Sequence, residues 1–247
     1  MEPVPNKQPK KPTSPWLYIA IGCGSLLLIG GLIVGAIVFL VVKKVDEVKD
    51  DMANPIARTE KVKKALGAQT LPDGYYAFMT LNIPLVMDTA MLTTDDPSTP
   101  GSDKAKDRLF MYIRLKSAPS SDVDEFRDYL EGRTDDPSVL ERSNLDIRTD
   151  EIVGRGAVQL DGERRLLYLA QRGVLRTNNS TSKSDGPGLN ALVLFECPTR
   201  SDVRMGIWTA PDTSPGVPLA QLELKGTPVD PDAIRSFMSH FNPCQVN

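Results

Sequence analysis

The stretch from residue 152 to residue 172, IVGRGAVQLDGERRLLYLAQR, decides the fold class of this chain. The central pair Asp161-Gly162 tolerates the positive φ angles of a type I′ turn, and side chains that favour strands flank it on both sides. The pattern predicts a β-hairpin whose strands run from 153 to 160 and from 163 to 171.

Other segments also alternate with period two. Between 109 and 115 every second residue is aliphatic, which predicts a strand with one buried face. Two strands are expected between 75 and 92, broken at Pro84. Two more are expected at 191–196 and 203–209, the last with Met205 and Ile207 on the face opposite Arg204 and Trp208.

Three amphipathic segments have helix signals at their ends. Asn54-Pro55 begins the first and Gly67 ends it, while Gly132 ends a second. Asp230-Pro231 begins the third, which places four apolar residues on one stripe: Ile234, Phe237, Met238 and Phe241. The order of elements predicts an α+β domain, an antiparallel sheet covered on one face by helices.

Residues 16–42 read WLYIAIGCGSLLLIGGLIVGAIVFLVV and carry no charge. A helix of this length spans roughly 40 Å, more than the roughly 30 Å of a bilayer core, and Trp16 and Lys43 suit the two interfaces. The run is too long for a cleaved signal peptide, so it predicts a single-pass membrane protein with a signal anchor.

The chain then divides into a basic tail (1–15), a transmembrane helix (16–42), a juxtamembrane helical stalk (43–70) and a soluble α+β domain (71–247). Gly31 and Gly35 form a GxxxG spacing that lets two membrane helices approach closely. A homodimer through this helix is one interpretation, and chance spacing of glycines common in such helices is the other.

The orientation depends on lysines and cysteines. Lysines flank the apolar run on both sides, but a short basic tail before a long apolar run is typical of a signal anchor that exports the rest. Cys197 and Cys244 are the soluble cysteines, and an exported pair can form a disulfide. The sequence favours a domain outside the cytoplasm, while a cytoplasmic domain with two free thiols stays open.

Composition and motifs exclude several classes of function. A formal net charge of -3 without a basic stripe argues against nucleic-acid binding. His240 is the only histidine, and no CxxC spacing accompanies it, so we expect no metal site and no cofactor. Ser180 and Lys183 match S-x-x-K only inside a polar loop, so no catalytic constellation is predicted.

A group of arginines lies on or beside the hairpin: Arg155, Arg164, Arg165 and Arg172. They are a candidate contact patch for an acidic partner or for lipid headgroups. The alternative interpretation is the solvated face of an antiparallel sheet, with the arginines paired to nearby carboxylates.

Three stretches carry a general resemblance: LPDGYYAFMTLNIPLVMDTAML (71–92), LDGERRLLYLAQRG (160–173) and DPDAIRSFMSHFNPC (230–244). They resemble uncharacterised single-pass bacterial membrane proteins, and the layout is similar to Mog1/PsbP-like domains. The resemblance implies an α+β fold and supplies no functional residues.

The expectation for function is a membrane-anchored, non-enzymatic binding or assembly domain, displayed outside the cytoplasm, with the lipid bilayer and an unknown protein as partners. Two alternatives stay open. One is a cytoplasm-facing regulatory domain, and the other is a membrane-tethered hydrolase that uses Ser180 or His240.

Overall fold

The computed structural model describes residues 54–99, 108–116, 120–139, 146–162, 164–176, 188–198 and 202–246. The helices are α1 (Pro55–Leu66), α2 (Ser120–Leu130) and α3 (Pro231–Met238), with short 3-10 turns at Leu219–Gln221 and Pro243–Gln245. The strands are β1 (Tyr76–Ile83), β2 (Met87–Thr93), β3 (Leu109–Leu115), β4 (Asp146–Gln159), β5 (Arg165–Arg176), β6 (Gly188–Glu196) and β7 (Val203–Pro211).

The strands form one 7-stranded sheet in the order β1-β2-β3-β7-β6-β5-β4. All neighbours are antiparallel, which confirms the predicted antiparallel sheet and the α+β class. The chain builds two meanders, β1–β3 and β4–β7, and the pairing of β3 with β7 joins them. β1 and β4 are therefore the two edges.

The predicted hairpin is confirmed as strands β4 and β5, but its turn differs from the expected two-residue type I′ turn. The main-chain N–H of Leu160 donates to the carbonyl of Arg164 at 2.9 Å, so the loop has three residues. Gly162 takes the left-handed conformation there with φ 70°. This register places Val158 opposite Leu166, and both side chains are buried.

One face of the sheet carries an aromatic core covered by α1 and α3. Phe237 stacks on Trp208 with ring centroids 4.3 Å apart, and Phe110 stacks on Phe241 at 4.9 Å. Asp230 caps α3 by accepting from the N–H of Asp232, as the sequence predicts. The predicted apolar stripe of α3 is buried in this core.

The second face carries an aliphatic core, so the expectation that helices cover only one face is wrong. Phe126, Tyr129 and Leu130 of α2 pack there with side chains from β5, β6 and β7. The physical reason is that β6 is apolar at nearly every position, and alternation along a strand then supplies apolar side chains to both faces.

Strand β3 was expected to bury only its aliphatic face. Phe110 and Tyr112, on its other face, are instead among the most buried residues of the chain. The aliphatic residues Met111 and Leu115 are only partly buried. Aromatic rings fill the space between the sheet and α3, so this face contributes more to the core than the aliphatic one.

Helix α1 belongs to the domain, which corrects the boundary expected at residue 71. The Asn54 side chain accepts from the N–H groups of Ile56 and Ala57, and Gly67 ends the helix, as predicted. Val62 and Leu66, however, are buried in the aromatic core. The part of the expected stalk from 54 onward is therefore packed on the sheet.

The expected transmembrane helix (16–42), its Gly31 and Gly35, and the rest of the stalk lie outside the described residues. Within the part of the chain that the structure describes, no helix is long and apolar enough to cross a membrane.

Candidate functional site

A cluster of charged residues lies on the aromatic face, at the end of the sheet where β1 turns into β2. We call Asp88, Arg114, Lys116, Asp202 and Arg204 the charged cluster. The strand register places Asp88 opposite Arg114, and Arg114 opposite Arg204. Two arginines therefore face each other on neighbouring strands, an arrangement that is unfavourable without an anion between them.

Asp202 supplies that anion. Its Oδ2 atom accepts from Arg114 Nε and, at 2.8 Å, from Arg204 Nη2. Asp88 repeats the pattern nearer to solvent, with Oδ1 2.8 Å from Lys116 Nζ and Oδ2 3.6 Å from Arg114 Nη1. The five charges alternate in sign from Lys116 inward to Arg204.

Burial increases along the charged cluster. The side chain of Lys116 is 23% exposed, that of Arg114 is 15% exposed, and that of Arg204 is 0% exposed. Burial of a guanidinium is costly unless its charge and its N–H groups have partners. Arg204, the most buried of the three cations, therefore depends most on its partners.

The ionisation states in the cluster follow from these contacts. Burial raises the pKa of Asp202, but hydrogen bonds from Arg204 and Arg114 outweigh that effect and hold the pKa below its usual value. Asp202 is therefore ionised at neutral pH. Burial raises the pKa of Tyr112 to about 12, against the opposing effect of Arg204 and Arg114, so its hydroxyl stays protonated.

Three buried polar atoms of this region have no hydrogen-bond partner among the described residues. They are Nη1 of Arg204, Oη of Tyr112 and Oδ1 of Asp202. Arg204 and Tyr112 are 0% and 1% exposed. Most buried polar groups in proteins are paired. The two unpaired donors, Arg204 Nη1 and Tyr112 Oη, therefore indicate capacity to bind an acceptor, whereas Asp202 Oδ1 is an unpaired acceptor.

The segment from Phe241 to Val246 contacts the charged cluster at Arg204. Arg204 Nη2 donates to the Val246 carbonyl at 2.9 Å, and Arg164 Nη1 donates to the Phe241 carbonyl at 2.5 Å. The Asn242 N–H donates to the Leu66 carbonyl at 3.1 Å. These bonds tie the segment to α1, to β7 and to the β4–β5 turn.

A disulfide completes the attachment of this segment. Cys197, directly after β6, is bonded to Cys244, and their Cα atoms are 5.3 Å apart. The sequence proposed this pair as a candidate, and the structure places the two residues at disulfide distance. Cys23 lies outside the described residues.

The four arginines of the candidate contact patch do not lie together on one face of the sheet. Arg164 and Arg165 are consecutive on the chain and point to opposite faces, because side chains alternate along an extended segment. Arg164 binds the Phe241 carbonyl on the aromatic face, whereas Arg165 pairs with Glu131 and Glu196, each at 2.8 Å, on the aliphatic face.

The other two arginines of that patch are also engaged within the domain. Arg155 lies over the Tyr129 ring, 5.7 Å from its centroid, and pairs with Asp135. Arg172 donates from Nε to Asp212 and from Nη1 and Nη2 to main-chain carbonyls of the loop after β7. The geometry therefore favours the alternative interpretation, in which these arginines are paired with nearby acceptors.

The candidate catalytic residues do not come together. His240 lies just after α3, and its Nδ1 is 3.1 Å from the Ser236 carbonyl of that helix, so this nitrogen donates to the main chain. Ser180 and Lys183 lie outside the described residues. Within the described ranges, no group of three or more His, Cys, Asp or Glu residues could hold a metal ion.

Sequence reasoning placed Arg204 on the same face as Trp208 but did not single out the charged cluster. The available signal was that Arg114 and Arg204 each share a strand face with an aromatic residue, Tyr112 and Trp208. A charge on an aromatic face of an interior strand is a candidate for burial. Strand order, which the sequence did not give, makes β3 and β7 neighbours.

Chemically, the charged cluster offers donors to an acceptor group and holds no nucleophile beside a base. No protein-family model, no curated protein and no solved structure matches this chain.

Proposed function

We propose that this chain is a single-pass membrane protein that displays its α+β domain outside the cytoplasm as a non-enzymatic binding or assembly module. The uncharged run from 16 to 42 supplies the anchor. We also propose that the α+β domain is similar to Mog1/PsbP-like domains. A cytoplasm-facing regulatory domain is the alternative that the test below distinguishes.

The observation that carries the proposal is the pairing of Cys197 with Cys244. Disulfides form and persist in oxidising compartments and are rare in the cytosol, where thiols are kept reduced. Both soluble cysteines of the chain are used, which leaves none unpaired in the domain. A domain that depends on this bond is suited to a place outside the cytoplasm.

The polar chemistry of the domain supports binding over catalysis. The Tyr112 hydroxyl is protonated, and the Asp202 carboxylate is held by two arginines, so neither is poised to accept a proton at neutral pH. The His240 ring nitrogen Nδ1 faces the main-chain carbonyls of Ser236 and Phe237 in α3. What remains is an array of donors suited to holding an acceptor.

The test is maleimide labelling of the full chain in intact cells, with Cys23→Ser so that only Cys197 and Cys244 remain. We expect a membrane-impermeant maleimide to label the protein only after reduction. A Cys197→Ala, Cys244→Ala variant is the matched control for background labelling. Labelling that needs disruption of the membrane but no reductant would place the domain in the cytoplasm and contradict the proposal.

A further inference from the structure

The charged cluster carries an excess of positive charge at its buried end. Its three cations, Arg114, Lys116 and Arg204, alternate with two anions, Asp88 and Asp202. Each anion lies between two cations, which leaves Arg204 at the inner end with one ionic partner. Arg204 is also the most buried of the five, so the uncompensated charge lies where solvent screens it least.

The two edges of the Arg204 guanidinium differ. Nε and Nη2 face Asp202 at 3.2 and 2.8 Å, and Nη2 also donates to the Val246 carbonyl. Nη1, on the remaining edge, has no acceptor among the described residues. A group bound at Nη1 would therefore be separated from the Asp202 carboxylate by the guanidinium itself.

Tyr112 adds a second donor. Its Oη atom is buried and without a hydrogen-bond partner in the described part of the chain. The strand register places Tyr112 opposite Gly206, two residues along β7 from Arg204, so the two side chains lie on the same face of the sheet. Burial keeps this hydroxyl protonated, although Arg204 and Arg114 act against that effect and the carboxylates of Asp202 and Asp88 act with it. A phenol and a guanidinium that both donate, in a region of excess positive charge, match the needs of an anion.

We propose that Arg204 and Tyr112 form an enclosed binding site for a small monovalent anion, either chloride or a carboxylate of the size of formate or acetate. The anion accepts from Arg204 Nη1 and from Tyr112 Oη. Because both residues are almost completely buried, the occupant is enclosed and must be small. The Val246 carbonyl lies beside the site, because it accepts from Arg204 Nη2.

The experiment measures urea unfolding of the full chain in detergent micelles. Tryptophan fluorescence is the signal, and every protein in the series carries Trp16→Phe, so that the signal comes from Trp208 in the aromatic core. Chloride replaces gluconate at constant ionic strength, so general salt effects stay fixed. We expect the unfolding midpoint to rise with chloride and to level off, as binding to the folded state requires. Parallel titrations with formate and acetate show whether the occupant is a halide or also a carboxylate.

Tyr112→Phe is the decisive variant, because it removes only the oxygen. We expect it to weaken the apparent affinity for the anion about tenfold, the effect of losing one hydrogen bond to a charged group. Arg172→Lys is the matched control and should keep the wild-type response. Equal midpoints of the wild type in chloride and gluconate, or equal responses in Tyr112→Phe and wild type, would overturn the proposal.

Discussion

Arg172 and Arg204 are both buried arginines on the sheet, each paired with an aspartate close in space, yet they use their donors differently. Arg172 donates from all three nitrogens, to Asp212, Ser214 and Val217. Arg204 donates from two nitrogens and leaves Nη1 unpartnered among the described residues. In the first arrangement every nitrogen has an acceptor and the side chain holds a loop, whereas in the second Nη1 can still donate to a ligand.

The two aspartates also differ in the number of arginines that bind them. Asp212 receives its ion pair from Arg172, and its side chain is 2% exposed. Asp202 is shared between Arg204 and Arg114. Loss of Arg172 therefore leaves the buried Asp212 carboxylate without its ion pair. Loss of Arg204 leaves Asp202 still paired with Arg114.

Arg172→Met should cause the largest loss of stability. The substitution keeps the volume of the side chain but leaves the Asp212 carboxylate buried without its ion pair, which costs about 3–5 kcal/mol. Urea unfolding followed by Trp208 fluorescence measures the change. A loss below about 1 kcal/mol would show that Arg172 does not hold the loop after β7 in place.

Removal of the disulfide by Cys197→Ala with Cys244→Ala should cost about 2–4 kcal/mol, because the unfolded chain gains the entropy that the cross-link removed. The same unfolding assay measures it, with and without reductant. The double variant should be insensitive to reductant, in contrast to the wild type. Identical stability of wild type and variant under oxidising conditions would contradict the role given to this bond.

Arg204→Met should cost about 1–3 kcal/mol, less than Arg172→Met in the same assay. The Val246 carbonyl loses its donor, but Arg114 still binds Asp202. If Arg204→Met proved more destabilising than Arg172→Met, Arg204 would contribute more to the stability of the fold than Arg172. That result would contradict the distinction between a structural Arg172 and a ligand-binding Arg204.

The pH dependence of stability tests the pairing of Asp202 and should be smaller than the Arg204→Met effect. The pKa of Asp202 is lower in the folded protein than in the unfolded chain, so its ionised form stabilises the fold. That contribution is complete above the unfolded pKa of about 3.9 and is lost as pH falls through the folded pKa. Wild type should lose more stability than Asp202→Asn between pH 6 and pH 2.

Tyr112→Phe should have the smallest effect on stability when chloride is absent, within about 0.5 kcal/mol of wild type. Its hydroxyl makes no hydrogen bond to the described residues, so little is lost when it is removed. Unfolding in gluconate buffer measures this baseline. A loss above about 1.5 kcal/mol would mean that the hydroxyl already has a partner within the fold.

The local elements were predictable from sequence because their signals are local. Asn54 and Asp230 cap helices where expected, and Asp161-Gly162 marks the hairpin. The layering differs from the expected single covered face, although the continuous apolar run of β6 indicates a strand buried on both faces. That run predicts helices on both sides of the sheet.

The site was harder to predict because it depends on strand order. Arg114 and Arg204 are far apart in sequence and become neighbours only when β3 pairs with β7. The arginines that sequence reasoning preferred are clustered along the chain, but alternation sends Arg164 and Arg165 to opposite faces. Proximity in sequence was therefore a poor guide to proximity in the sheet.

The most direct test of the contrast between the two buried arginines is a crystal structure of the full chain grown or soaked with bromide, which replaces chloride and gives an anomalous signal. The account predicts an anomalous peak within hydrogen-bond distance of Arg204 Nη1 and Tyr112 Oη, and none at Arg172. A water molecule at Arg204 without anomalous signal, or bromide bound equally at both arginines, would contradict it.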